Sequence, residues 1–351
     1  MENLKIDWYI LKHEGEVTDF DDKITELRKK HSSIYVVSLS KKSYSLKRFF
    51  QYVKLFRSVK KTNNAYYLEM FGMPFFVPIA RVMLGEKKSI MAIHNAHVPK
   101  GGSKYRIAKI YRDITVRMYS KFQTFSKSQR EYLKNMQPKA KVQFIPFALK
   151  DYGESKLVLP EKDYPIFMNF GNIRPYKCID VLIEAAQEAY EETKKSFKVI
   201  IAGQCDDWEK FDSLIRYPEL FDLRIERVEN DDIPDLFAEA DFFVAPYQDI
   251  AQSGSSIVAI NYGLPIIASK LEAFEEYIID GKNGFLIAPA DKQDLKKVLI
   301  YVLNNYEKVY PQLKHNVEII KQKVWKACWK LLSLCRHCRR DRVSQSVRRK
   351  R

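Results

Sequence analysis

Between residues 163 and 305 the chain alternates short apolar runs, at 166–170, 198–202, 223–228, 241–245, 265–268 and 284–287, with stretches whose apolar positions recur every three or four residues. Val181, Leu182, Ala185, Ala186 and Ala189 form one such stripe, and Ile233, Leu236, Phe237 and Ala240 another. A run without polar alternation is a strand buried on both faces, and a helix after each strand returns the chain to the same end of the sheet. The pattern predicts a parallel sheet in a doubly wound α/β domain. Residues 1–150 alternate less cleanly, with strands at 5–11, 34–39, 66–69, 89–94, 123–126 and 141–147 and helices at 22–30, 46–60 and 105–119, and predict a second Rossmann-like domain. The polar segment 151–165 holds Gly153, Pro160 and Pro165 and reads as a linker, so the expected layout is a domain over 1–150 and another over 166–324. Two such domains leave a cleft at the carboxyl ends of both sheets, where open α/β folds bind ligands.

Composition sharpens this picture. A chain of 351 residues with 46% hydrophobic content has material for two cores, which excludes disorder and coiled coil, and 12 Gly with 14 Pro exclude a collagen-like chain. Five Cys do not frame a secreted disulfide module, so a reduced, cytoplasmic setting is expected. The net charge of +16 is unevenly placed: residues 1–150 carry 30 Lys/Arg against 12 Asp/Glu, 151–335 carry 22 against 31, and 336–351 carry 8 against 1. The first domain should therefore face something anionic. No run reaches the roughly 18 apolar residues that span a bilayer. The nearest, 68–84, is broken by Glu69, Pro74, Pro78 and Arg81, and the N-terminus lacks the order of a secretory signal. A soluble chain, or one that touches a membrane surface, is expected. The basic, aromatic segments 47–57 and 104–134 can each form a helix with apolar residues on one side and Lys/Arg on the other, suited equally to packing on the sheet and to lying on anionic lipid.

Two strand-to-helix loops carry chemistry. In Gly171-Asn172-Ile173-Arg174-Pro175-Tyr176-Lys177, the glycine admits close backbone approach and two cations stand three residues apart at a helix N-terminus, the outline of a diphosphate site. In Gln252-Ser253-Gly254-Ser255-Ser256, small residues open the next such helix as a nest of N–H and hydroxyl donors, although a serine N-cap would look the same. Both loops sit in one domain at carboxyl strand ends, which favours a pyrophosphate-bearing ligand.

The strings FGNIRPYKCIDVLIEA, VIIAG, DIPDLFAEADFFVAPY, QSGSSIVAINYGLPIIAS and EEYIIDGKNGFLIAPAD occur in order over about 163–305. This part of the chain resembles the donor domain of glycosyltransferase family 4, the retaining group 1 enzymes of the two-domain GT-B fold. The resemblance implies transfer of a hexosyl-type sugar from a nucleotide-diphosphate sugar, with retained anomeric configuration, no metal and no other cofactor. It implies that Arg174 and Lys177 neutralise the leaving diphosphate, that Gly171, Asn172, Gln252, Ser253, Gly254 and Ser255 line the donor site, and that Glu276 lies near the donor sugar. Many members carry a glutamate pair spaced by seven residues, but those positions here are Ile250 and Val258. Asp249 is the expected substitute for the first carboxylate, and Arg174 for the arginine that Asn172 replaces.

In the first half, Ile93-His94-Asn95-Ala96-His97 ends a strand and precedes Pro99 and Gly101-Gly102. An imidazole there can hold a sugar hydroxyl or help move the acceptor's proton; His94 is the catalytic candidate, with Asn95 and His97 on the acceptor side. A zinc site at the pair lacks further ligands. The segment 5–39 resembles the family's second strand–helix–strand unit, so a preceding unit is expected to be missing. Residues 325–351, rich in Cys, Trp and Arg, read as a disordered basic tail, and the lone Cys335-Arg336-His337-Cys338 makes no zinc site. The resulting expectation is a glycosyltransferase that is cytoplasmic or peripheral on the inner face of the cell membrane, acting on a glycan or lipid-linked acceptor in capsule, lipopolysaccharide or similar polysaccharide synthesis, without nucleic acid. Competing expectations are a weakly active GT-B scaffold, a nucleic-acid-binding protein, or another GT-B enzyme such as a phosphorylase.

Overall fold

The computed structural model describes residues 7–14, 33–63, 65–70, 74–98, 105–146, 149–159 and 162–347, with side chains as far as Val324. The second half follows the predicted alternation: β7 (Ile166–Phe170), α5 (Ile179–Thr193), β8 (Lys198–Ala202), α6 (Glu209–Asp212), β9 (Phe221–Arg224), α7 (Ile233–Glu239), β10 (Phe242–Ala245), α8 (Gly254–Asn261), β11 (Ile266–Ser269), α9 (Glu272–Glu275), β12 (Gly284–Ile287) and α10 (Lys292–Val347). The strands form one parallel six-stranded sheet in the order β12-β11-β10-β7-β8-β9. Side chains alternate between its faces: Phe167, Val199, Ile201, Val244 and Ile267 enter one core, while Met168, Ile200, Ala202, Phe243 and Ala268 enter the other. Burial on both sides explains why these strands read as unbroken apolar runs. The strand expected at 223–228 begins at Phe221 and ends at Arg224, the last residue paired with β8, whose side chain binds Asp222 and Glu239.

The first half contains β1 (Asp7–His13), β2 (Ser33–Leu39), α1 (Leu46–Thr62), β3 (Tyr66–Glu69), α2 (Phe76–Leu84), β4 (Ser89–Ala92), α3 (Tyr105–Met118), β5 (Lys121–Thr124), α4 (Lys127–Met136) and β6 (Lys141–Phe144). Its strands are parallel, but among the described residues they form a four-stranded sheet, β3-β4-β5-β6, and a separate pair, β1-β2. Side chains rather than a ladder join the two: Leu39, Tyr9, Leu11 and Val37 pack into the same core as Tyr52, Leu68 and Phe122. The expected helix at 22–30, Pro99, Gly101, Gly102, Pro160 and the end of the strand expected at 141–147 lie outside the described residues.

The backbone of α10 runs to Val347 where the sequence predicts a disordered tail from residue 325; the side chains of Cys335 and Cys338 and residues 348–351 lie outside the described residues. The helix departs from helical angles at Asn305 and contains Pro311, and it is anchored on α5 by Lys292 between Glu184 and Glu188. Among the described residues no helix is long and apolar enough to cross a membrane.

Candidate active site

The loop after β7 turns at Gly171, whose φ of +101° favours glycine, and tightens into a 3-10 turn, Pro175–Lys177, before Cys178 at φ +51° leads into α5. The turn folds Lys177 inward. It is only 5% exposed, donates to the carbonyl of Phe170 at 3.3 Å and lies 5.7 Å from the ring centroid of Tyr247. No carboxylate among the described residues pairs with it, and burial, with a smaller push from the Arg174 charge, lowers its pKa to about 8. A Cβ on Gly171 would stand 2.9 Å from the Ser255 hydroxyl oxygen and 3.2 Å from the Lys177 ammonium, so the bare glycine is what lets the two loops meet. Gly203, at the end of β8, supports this contact from behind: a Cβ there would be 2.5 Å from the Gly171 carbonyl oxygen.

In the second loop the N-cap expectation holds for Ser253, whose hydroxyl accepts the Ser256 N–H at 3.2 Å. The N–H groups of Gly254 and Ser255, first in α8, have no intrahelical acceptor. They open onto a cavity of about 260 Å³ lined by the expected Asn172, Lys177, Gln252, Ser253, Gly254 and Ser255. Ile250 and Val258, which stand where the glutamate pair was expected, line it too, so the wall is apolar there. So do Lys150, just before the linker, Tyr152 within it, and Tyr176 and Tyr247. A buried lysine without a carboxylate beside a helix N-terminus and a glycine turn is an arrangement suited to a multiply charged anion.

Three expected residues are placed elsewhere. Arg174 is half exposed, and its guanidinium pairs with Asp206 in the loop after β8 rather than lining the cavity. Asp249 reaches across the cleft and is bound through both oxygens by Nε2 of His97 at 3.2 Å. Glu276 also crosses the cleft and accepts the Ser128 N–H at 3.0 Å at the start of α4, where a helix N-terminus favours a carboxylate. Burial raises the pKa of Glu276, offset in part by those backbone donors.

The opposite wall belongs to the first domain. His94 leaves the end of β4, stacks on Phe125 with ring centroids 4.3 Å apart, and lies 3.9 Å from Glu69, whose carboxyl the imidazole holds below its ordinary pKa. Glu69 carries no signal in the sequence beyond its place at the end of β3. The Phe125 carbonyl accepts from Nε2 of Gln252 at 3.1 Å, so one residue separates His94 from the cavity lining. Gln129 accepts the His97 N–H at 2.7 Å and donates to the Ala251 carbonyl at 3.4 Å. Asn95 is exposed. Among the described residues no group of three or more His, Cys, Asp or Glu is arranged to hold a metal ion.

Against known proteins, the model of the family described as glycosyl transferases group 1 matches residues 154–322. Two uncharacterized glycosyltransferases of Methanocaldococcus jannaschii are 25% identical over 178 residues and 24% identical over 173, covering 50% and 48% of this chain and 49% and 44% of theirs. The chain thus spans about half the length of the curated relatives it matches. Among solved structures, sucrose-phosphate synthase from Thermosynechococcus elongatus superposes with a TM-score of 0.70 at 13% identity, covering 95% of this chain and 98% of that one. The Anabaena protein HepE in complex with UDP-glucose gives 0.69 at 13% identity, covering 94% and 99%. At these identities the likeness is one of fold.

Proposed function

We propose that this chain, a member of the group 1 glycosyl transferase family with the GT-B fold, moves a sugar from a nucleotide-diphosphate sugar to a glycan or lipid-linked acceptor with retention of anomeric configuration. The observation that carries the reading is Lys177: an ammonium 5% exposed, without a carboxylate, beside the first N–H groups of α8 and the bare Gly171 turn. Glycosyl transfer builds negative charge on the departing diphosphate while the anomeric carbon becomes cationic. Donors fixed on that diphosphate beforehand stabilise the transition state more than the ground state. On this reading protein cations and helix N–H groups supply the counter-charge, and no metal is required. His94, backed by Glu69 and Phe125, faces the same cleft from the first domain and is suited to hold the acceptor's hydroxyl or the transferred sugar.

The proposal extends to the cytoplasmic face of a membrane in cell-surface polysaccharide synthesis. α1 leaves Leu46 and Phe50 exposed at 75% and 64% among Lys47, Lys54, Arg57 and Lys61, and α3 exposes Ile107 and Ile110 beside Arg106 and Lys109. Apolar side chains interleaved with cations suit an anionic lipid surface. The test is a thermal-shift and calorimetric panel of UDP-, GDP- and ADP-sugars on the full chain. Binding of one of them that is lost in Lys177→Met, with release of its diphosphate when an acceptor glycan is added, is expected. Binding of none, or consumption of the donor by inorganic phosphate instead of an acceptor, overturns the proposal.

A further inference from the structure

A diphosphate carries more charge than one ammonium neutralises, and Arg174, the second cation nominated by the sequence, is engaged by Asp206 outside the cavity lining. We infer that Lys150, from the segment joining the two domains, is the second cation on the donor's diphosphate, held over the N-terminus of α8 opposite Lys177. This rests on the proposed donor cavity and goes beyond it by assigning a residue that no motif of the chain marks.

The placement is direct. The Lys150 ammonium lies 4.0 Å from the point where a Cβ on Gly254 would stand, and it lines the cavity with Ser255 and Lys177. Ser255 and Lys177 in turn meet over Gly171. The first N–H groups of α8 are therefore flanked by two ammonium groups, one buried beneath and one exposed at the mouth. Among the described residues neither forms an ion pair. Two like charges beside the positive end of a helix repel one another unless an anion lies between them.

The backbone around Lys150 is fixed to the donor domain rather than to the domain it follows in sequence. Leu149 is buried in the core that holds Phe237, Phe243 and Ile257. On the other side, the Tyr152 N–H donates to the Tyr262 hydroxyl at 3.1 Å, which donates to the Gly153 carbonyl at 3.1 Å. Further along, the Ser155 hydroxyl and the Lys156 N–H both donate to Asp235 at the start of α7. Lys150 thus has an anchored backbone and a free, four-carbon stem, which suits a point charge that follows a phosphate oxygen rather than a bidentate clamp.

Calorimetric titrations with UDP, GDP and ADP, and with the matching monophosphates, test this on the full chain at low salt. For the diphosphate that binds the wild type, Lys150→Met is expected to weaken affinity about tenfold, the low end for a charge-assisted hydrogen bond at an exposed site. The monophosphate should lose less, Lys150→Arg should restore most of the affinity, and the loss should shrink as salt rises. Arg174→Ala should lose less than Lys150→Met. Lys150→Met binding like the wild type while Lys177→Met fails overturns the role of Lys150 and leaves the cavity standing. The reverse order of Arg174 and Lys150 also overturns it. Binding of no diphosphate by the wild type removes the cavity and this residue together.

Discussion

Replacing Lys177 by Met should stabilise the unliganded protein while abolishing most of its affinity for a nucleoside diphosphate. The side chain is 5% exposed, and burial lowers its pKa from 10.5 to about 8. A shift of that size corresponds to about 3 kcal/mol of unfavourable burial. The sign follows from proton binding. Between pH 8 and 10.5 the unfolded chain holds this proton more tightly than the folded one, so stability rises with pH across that window and the full cost is present below it. Methionine has nearly the same shape and removes the cost. It also removes the bond to the Phe170 carbonyl and the contact with the Tyr247 ring, together worth about 2 kcal/mol. The net gain near pH 7 is about 1 kcal/mol, or roughly 2–4 °C in Tm for a domain of this size. Thermal unfolding at pH 7 and pH 10 measures it, and the gap should close or reverse at pH 10, where the wild-type lysine is neutral. Diphosphate affinity should fall at least tenfold in the variant, and in the wild type it should weaken as pH rises past 8. A variant that melts lower than wild type at pH 7 by an amount independent of pH, or that binds diphosphate unchanged, would refute the assignment of Lys177 as a strained cation awaiting an anion.

Gly203→Ala should destabilise the donor domain by about 2 kcal/mol or more and weaken diphosphate binding with it, because its φ is +142° and the new Cβ would meet the Gly171 carbonyl; thermal unfolding and calorimetry read both effects. Asp249→Asn and His97→Ala should each lower kcat/KM by up to about fivefold with donor Kd unchanged, since a half-exposed pair is worth about 1 kcal/mol and bridges the domains rather than the donor; a large loss of donor affinity in Asp249→Asn would instead return that carboxylate to the sugar. Leu46→Glu with Phe50→Glu should reduce sedimentation with vesicles containing anionic lipid about tenfold or more without altering donor binding. EDTA in excess should leave donor turnover intact, and restoration of EDTA-lost activity by a divalent cation would contradict the metal-free reading.

The six-stranded sheet was legible because its physics writes itself into local sequence. In β10 and β11 every residue is buried, so FFVA and IIAS contain no polar alternation and resemble nothing but strands covered on both faces. The first domain was less legible for the same reason in reverse: β3 and β6 alternate buried or half-buried with exposed residues, as YYLE and KVQF do, and the boundary between a strand and its surroundings blurs. The separation of β1-β2 from the four-stranded sheet had no signature at all. Whether two parallel strands exchange hydrogen bonds depends on their approach in space, and Tyr9, Leu11 and Val37 pack on the shared core either way.

The site divides along a similar line. Lys177, Gly171 and the small residues of 253–255 were legible because each lies in the loop that leaves a strand end, and strand ends of one parallel sheet converge. Arg174 was not, because its partner Asp206 lies 32 residues away on the next strand's loop and turns the guanidinium aside. Lys150 is one of 30 Lys/Arg in the first 150 residues, and only the burial of neighbouring Leu149 in the other domain distinguishes it. Asp249 and Glu276 both reach the cleft, and each crosses it to a partner that no local pattern shows, 152 and 148 residues earlier. Local pattern tells which residues reach a cleft; which wall they bind depends on how far the two domains have closed. Asp249, Glu276 and Gln252 all touch the first domain, so a ligand that claimed any of them would do so by loosening the hold of one domain on the other.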